Sequence, residues 1–135
     1  MIELYTDGAC SPNPGLGGWA AIFYKDGVLV DEHYGYVEDT TNNRMEILSV
    51  IKGIQAIKNA TFDKDITVYS DSQYVVNTMQ KNWAKNKNTD LWYELIVLLH
   101  DLNVTWVWVK GHDSNINNQR CDRLAVYARV NKVNK

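Results

Sequence analysis

Cysteine and proline are scarce in this chain, with two of each among 135 residues. Cys10 and Cys121 cannot supply the disulfide framework of a small secreted domain, so they fit free thiols in a reducing, cytoplasmic setting. Eight glycines without a repeat exclude collagen and low-complexity polymers. No apolar run approaches the ~20 residues that span a bilayer, and Met1-Ile2-Glu3-Leu4-Tyr5 has no charged n-region leading into an apolar stretch. The chain therefore reads as soluble and unprocessed, with no membrane partner. An excess of one charge is also missing: 14 Lys and Arg against 16 Asp and Glu give −2, which argues against a strongly basic nucleic-acid binder. What is present is 45% hydrophobic and 11% aromatic residues. That suffices for one domain, 1–135, able to bury about two thirds of its unfolded surface without staples.

The near-neutral total hides an asymmetry. Residues 1–50 carry 2 basic and 8 acidic side chains, net −6, and residues 51–135 carry 12 and 8, net +4. An acidic focus beside a basic remainder suits a metal next to a polyanion, and unequal solvated faces explain it equally well.

Ile2, Leu4 and Thr6 alternate with Glu3, Tyr5 and Asp7, the period of a strand ending at Gly8. Gly15-Leu16-Gly17-Gly18 reads as a turn. Trp19 to Tyr24 and Val28 to Tyr36 read as strands joined at Lys25-Asp26-Gly27. From Asn43 the period becomes helical, with Ile47, Val50, Ile51, Ile54 and Ile57 on one stripe to about Lys58, and Asn43 with Glu46 resembles a capping box. Asp65 to Ser70 is a strand, Ser72 to Gln80 a short helix, Leu91 to Leu102 a longer one, Val104 to Lys110 a strand and Asn117 to Val130 a helix. The order β-β-β-α-β-α-α-β-α predicts an α/β fold, an antiparallel meander leading into parallel crossovers on a mixed sheet. If the first strand points up, the fourth and fifth do too. Asp7, Glu46, Asp71, His112 and Asp122 then gather at one edge, beyond the carboxyl ends of strands, where open α/β sheets bind ligands.

Each residue alone has an ordinary reading: Asp7 as a turn former before Gly8, Asp71 as a cap, Glu46 as half of a capping box, Asp122 as a solvated helix residue, His112 as an exposed loop histidine. Together they are harder to dismiss, because carboxylates about 5 Å apart repel by ~3 kcal/mol per pair at an effective dielectric near 20. Such a cluster demands a divalent cation. Oxygen-only ligands with open positions suit Mg²⁺ or Mn²⁺, and two ions roughly 4 Å apart can drive phosphodiester cleavage. His112 is a candidate proton carrier.

The segments YTDGACSPNPGLGGW at 5–19, TTNNRMEIL at 40–48, YSDSQYV at 69–75 and WVKGHDSNINNQRCDRLA at 108–125 resemble the signature blocks of type 1 ribonuclease H, in order and over nearly the whole chain. The resemblance implies an RNase H fold with sheet order 3-2-1-4-5 and helices on both faces. It also implies endonucleolytic hydrolysis of the RNA strand of RNA–DNA hybrids, by two Mg²⁺ ions that Mn²⁺ can replace, leaving 3′-hydroxyl and 5′-phosphate ends. Asp7, Glu46, Asp71 and Asp122 match its metal-binding acids and His112 its mobile histidine. Asn13, Asn42, Asn43 and Gln73 match amides that touch the minor groove, and the run from Gly15 to Gly18 matches the backbone approach to the RNA strand. Thr41 and Asn88 match a pocket for a DNA-strand phosphate, and Trp83 and Trp92 resemble aromatics flanking the DNA channel. Trp106 and Trp108 are assigned to sheet faces.

Three departures stand out. Only residues 84–89 lie between Trp83 and Asp90, so the basic handle of longer bacterial members is missing. Lys81, Lys85 and Lys87 read either as a partial replacement or as an ordinary solvated face, and about three phosphate contacts predict a salt slope of roughly −2 to −3. A chain reading as a monomer either binds hybrid weakly unaided or takes grip from a replication or polymerase partner, since no room is left for a hybrid-binding domain before the first strand. Asp113 follows His112 where a small residue is usual, which would raise the histidine's pKa or draw a cation, and Gln119 replaces an acid. The rival reading is a non-catalytic hybrid-binding or partner-docking module, against which the repulsive tetrad weighs. A third is another nuclease or strand-transfer enzyme of the wider superfamily.

Overall fold

The computed structural model describes residues 1–110 and 115–135. Along the chain run β1 (Ile2–Cys10), β2 (Gly15–Lys25), β3 (Val28–Thr40), α1 (Asn42–Ala60), β4 (Asp65–Ser70), α2 (Gln73–Gln80), α3 (Thr89–Leu99), β5 (Asn103–Trp108) and α4 (Ile116–Asn131). Among the described residues the strands form one sheet in the order β3-β2-β1-β4-β5. The β1–β2 and β2–β3 pairs are antiparallel, and the β1–β4 and β4–β5 pairs are parallel. This is the expected mixed sheet.

Strand alternation divides the core between the two faces of the sheet. Leu4, Ala21, Phe23, Ile66, Val68 and Trp106 meet the apolar stripe of α1 and the inner sides of α2 and α3. On the other face Tyr5, Ala20 and Ile22 meet Cys121 and Ala125 of α4. At the β2–β3 hairpin Asp26 and Gly27 both take positive φ, 50° and 82°, the two-residue turn whose twist matches its strands.

Several boundaries differ from the sequence reading. Gly15 to Gly18 is not a turn: it opens β2, pairing with β1 and β3, and the reversal lies just before it, where Ser11 N–H donates to the Leu16 carbonyl at 3.1 Å. Glycine is used there for close approach. A Cβ on Gly18 would fall 2.1 Å from the Ala125 carbonyl oxygen, so α4 rests directly on β2. The cap of α1 is Thr41, whose hydroxyl accepts from Arg44 N–H at 3.2 Å, and not an Asn43–Glu46 box. Glu46 is thereby released from a capping role. Helix α3 stops at Leu99 rather than Leu102, because Asn103 N–H is already bonded to the Lys64 carbonyl at 2.8 Å as β5 begins.

Candidate active site

One strand, the exit of another and two helices supply the acids. Asp7 sits near the end of β1, 3% exposed, and its Oδ1 accepts from Gly8 N–H at 2.9 Å. Glu46 comes from the first turns of α1. Asp71 follows β4, held by Trp108 Nε1, which donates to the Asp71 carbonyl at 3.1 Å. The next residue, Ser72, caps α2 by accepting from Val75 N–H at 3.1 Å. The capping alternative for Asp71 therefore fails. Carboxylate oxygens of Asp7, Glu46 and Asp71 lie within 4.8 Å of one another, and Asp122 of α4 lines the same open cleft of about 340 Å³ with Ser11, Asn42, Asn43 and Arg129.

Electrostatics mark this cluster as incomplete. Burial, then the nearby Asp71 and Asp122 charges, push the Asp7 carboxyl up to about 9. Burial, then the nearby Asp7 and Asp71 charges, raise Glu46 well above the ordinary carboxylate range. Glu46 Oε1 and Asp71 Oδ1 are enclosed without a hydrogen-bond partner among the described residues. Buried acceptors are ordinarily satisfied, so these oxygens are free to ligate a cation. The oxygen-only donor set, open on one side, fits Mg²⁺ or Mn²⁺ rather than zinc.

Beside the acids, two amides are oriented by backbone donors. Cys10 N–H donates to Asn42 Oδ1 at 2.7 Å, and Asn42 N–H donates to Asn13 Oδ1 at 3.1 Å. Each amide oxygen is thus engaged, which leaves the NH₂ groups of these two exposed residues as the remaining donors. Asn43 is exposed beside them, and Gln73 is exposed at the first position of α2.

The second group lies between α1 and α3. Asn88, at φ 56°, donates to Tyr74 Oη at 3.2 Å and accepts from Arg44 Nη1 at 3.3 Å. Arg44 also forks onto Asp90 at 3.0 and 2.7 Å. Arg44 stands inside the sequence block read for Asn42 and Asn43 and has no role in that reading. Trp83 is 47% exposed, with Lys81 Nζ 5.8 Å from its ring. Trp92 is a correction: it is 1% exposed and gives its Nε1 proton to Tyr74 Oη at 3.0 Å. Leucine spacing on α3 turns that indole into the core, so it cannot flank a channel. His112 and Asp113 lie outside the described residues.

A family model described as RNase H matches residues 1–129. The chain belongs to the RNase H family. It is 46% identical over 147 aligned residues to a protein named Ribonuclease H from Francisella tularensis subsp. novicida, covering 99% of this chain and 94% of that one. Its structure is similar to that of RNase H1 from the archaeon Halobacterium salinarum, with a TM-score of 0.81 at 27% identity, covering 96% and 98% of the two chains. It also matches LC11-RNase H1 in complex with an RNA/DNA hybrid, with a TM-score of 0.86 at 23% identity, covering 97% and 98%. The latter likeness is one of fold.

Proposed function

We propose that residues 1–135 form one catalytic domain that hydrolyses the RNA strand of RNA–DNA hybrids, leaving 3′-hydroxyl and 5′-phosphate ends. The observation that carries this is the pair of enclosed, unpartnered oxygens on Glu46 and Asp71 beside buried Asp7. Family membership and a relative named Ribonuclease H support the same reading. Enclosing mutually repelling carboxylates costs stability, which a binding module has no reason to accept.

Asp7, Glu46, Asp71 and Asp122 would hold Mg²⁺, two ions once substrate is bound, or Mn²⁺ in their place. The ions supply Lewis acidity for water attack and for the leaving oxygen. The other groups bind and orient. Asn13 and Asn42 present NH₂ donors, with Asn43 and Gln73 beside them, to 2′-hydroxyls and base edges of the shallow groove. Gly15 starts the backbone stretch that approaches the RNA strand, and Thr41 and Asn88 grip a DNA-strand phosphate, with Arg44 tying Asn88 to Asp90. Trp83 offers a face to the DNA backbone. His112 is the proposed proton carrier. The setting we propose is cytoplasmic, consistent with the buried free thiols Cys10 and Cys121. The protein would act as a monomer, with any replication or polymerase partner adding grip.

The test is a gel assay on end-labelled RNA–DNA hybrid, RNA duplex and DNA duplex with Mg²⁺, Mn²⁺ or EDTA. Metal-dependent cutting of the hybrid's RNA strand alone is expected. Equal cutting of DNA duplex would point to another nuclease of the superfamily, and tight hybrid binding without cutting to a binding module.

A further inference from the structure

The cleft that holds the acids contains one cation among its described residues, Arg129, and the reading of the acidic site gives it no task. Arg129 follows Asp122 by seven residues on α4, two helical turns, so the two lie on one side of the helix about 10 Å apart along its axis. Its stem is fixed by the contact that requires Gly18. A Cβ on Gly18 would lie 2.1 Å from the Ala125 carbonyl oxygen and 3.0 Å from Arg129 Cβ, so β2 and α4 meet there with no slack. Arg129 Nε is enclosed and has no hydrogen-bond partner among the described residues. Two of the other three arginines are engaged, Arg44 on Asp90 and Arg120 on Glu32, and Arg123 is exposed outside the cleft's lining.

Arg129 lines the cleft together with Ser11 and Asn42, and with its Nε already out of water and unpaired it is a cation without a protein counter-ion among the described residues, suited to an anion that arrives from outside. Its planar donors match a phosphate in two-point fashion. Resting on the proposed hybrid cleavage, we infer that Arg129 binds a phosphate of the RNA strand next to the one that is cleaved, on the Ser11–Asn42 side of the acids. Its displacement along α4 from Asp122 separates it from the reacting phosphate. Arg129 is therefore a substrate-anchoring residue, and its loss weakens binding and leaves the chemical step alone.

The experiment compares the native protein with Arg129→Gln, which keeps much of the stem and removes the charge. Hybrid affinity is read by fluorescence anisotropy in an Asp71→Asn background across a KCl series, and kcat and KM are read without that background. Arg129→Gln should raise Kd and KM roughly tenfold, the loss of one charge-assisted contact. It should flatten the salt dependence by about one unit of slope and keep kcat within about twofold. Unchanged Kd and slope in a folded variant would overturn the inference, as would a fall in kcat at constant KM, which would make Arg129 a support for the carboxylates. If Arg129→Gln does not fold, the Nε–H resonance of Arg129 in the Asp71→Asn protein decides. It should shift on adding hybrid, and an unmoved signal at saturation refutes the contact. A native protein that binds hybrid but never cuts it would sink the functional reading while the affinity data still judged Arg129.

Discussion

Gly8 lies against the peptide that joins Met45 to Glu46. A Cβ on Gly8 would come within 2.5 Å of both Glu46 N and the Met45 carbonyl carbon, so the missing side chain is what lets α1 land on β1 and bring Glu46 to Asp7. Both opposing atoms are backbone and cannot swing aside. Gly8→Ala should cost on the order of 1–3 kcal/mol of stability through overpacking. Cleavage should fall more than folding does, because Glu46 is pushed from the cluster. Denaturant melts and hybrid cleavage on the same preparation check this; full activity with a lowered melting temperature would show that Glu46 tolerates displacement.

Asp71→Asn keeps the shape of the side chain and removes a ligand charge. Hybrid cleavage should drop by more than the roughly 10–100-fold that loss of an outer partner of a metal ligand costs. The fold and hybrid affinity should survive, since Ser72, not Asp71, caps α2. Circular dichroism, binding and turnover measured together test it. Persistent Mg²⁺-dependent turnover would mean the acids are misassigned.

Stability of the metal-free protein should decrease as pH rises. Asp7, pushed up to about 9, and Glu46, raised in the same direction, keep protons in the folded state that the unfolded chain releases near its ordinary carboxylate range. Their contribution is fully present below that range and is lost as pH climbs toward the folded value. A divalent ion needs the deprotonated acids, so its stabilising effect should grow over the same interval. Thermal melts in EDTA and in Mn²⁺ at about pH 6 and about pH 8.5 should show a widening gap. An Asp7→Asn variant should flatten the EDTA slope; a slope unchanged in that variant would assign the effect elsewhere.

The two tryptophans once paired by resemblance should separate in experiment. Trp92→Ala empties a fully buried site and should cost about 3–5 kcal/mol. Trp83→Ala removes a side chain that is 47% exposed and should leave the melting temperature nearly unchanged while weakening hybrid binding severalfold. Equal affinity for Trp83→Ala and the native protein would remove Trp83 from the interface.

Much of this protein is legible in its sequence because its signals are local. Alternation in Ile2 to Asp7, the isoleucine stripe of α1 and the turn at Asp26-Gly27 each depend on neighbours a few residues away, and element order with right-handed crossovers then gives a mixed sheet and the directions of its strands. Boundaries were harder to read where a distant contact intervenes. Gly15 to Gly18 resembles a turn until β3 and α4 are seen pressing on it, and the cap of α1 moved to Thr41 because Glu46 is drawn inward beside Asp7.

The sequence by itself determined the fold class and the edge at which the acids collect, since periodicity and chain direction are one-dimensional properties, and its signature blocks implied the strand order through family resemblance. Only the tertiary structure decided which oxygens are enclosed without partners, that Trp92 belongs to the core, that Arg44 ties Asn88 to Asp90, and that Arg129 shares the cleft with the acids. Those relations depend on how closely helices lie on strands, and that spacing is set by the absence of a Cβ at Gly8 and Gly18.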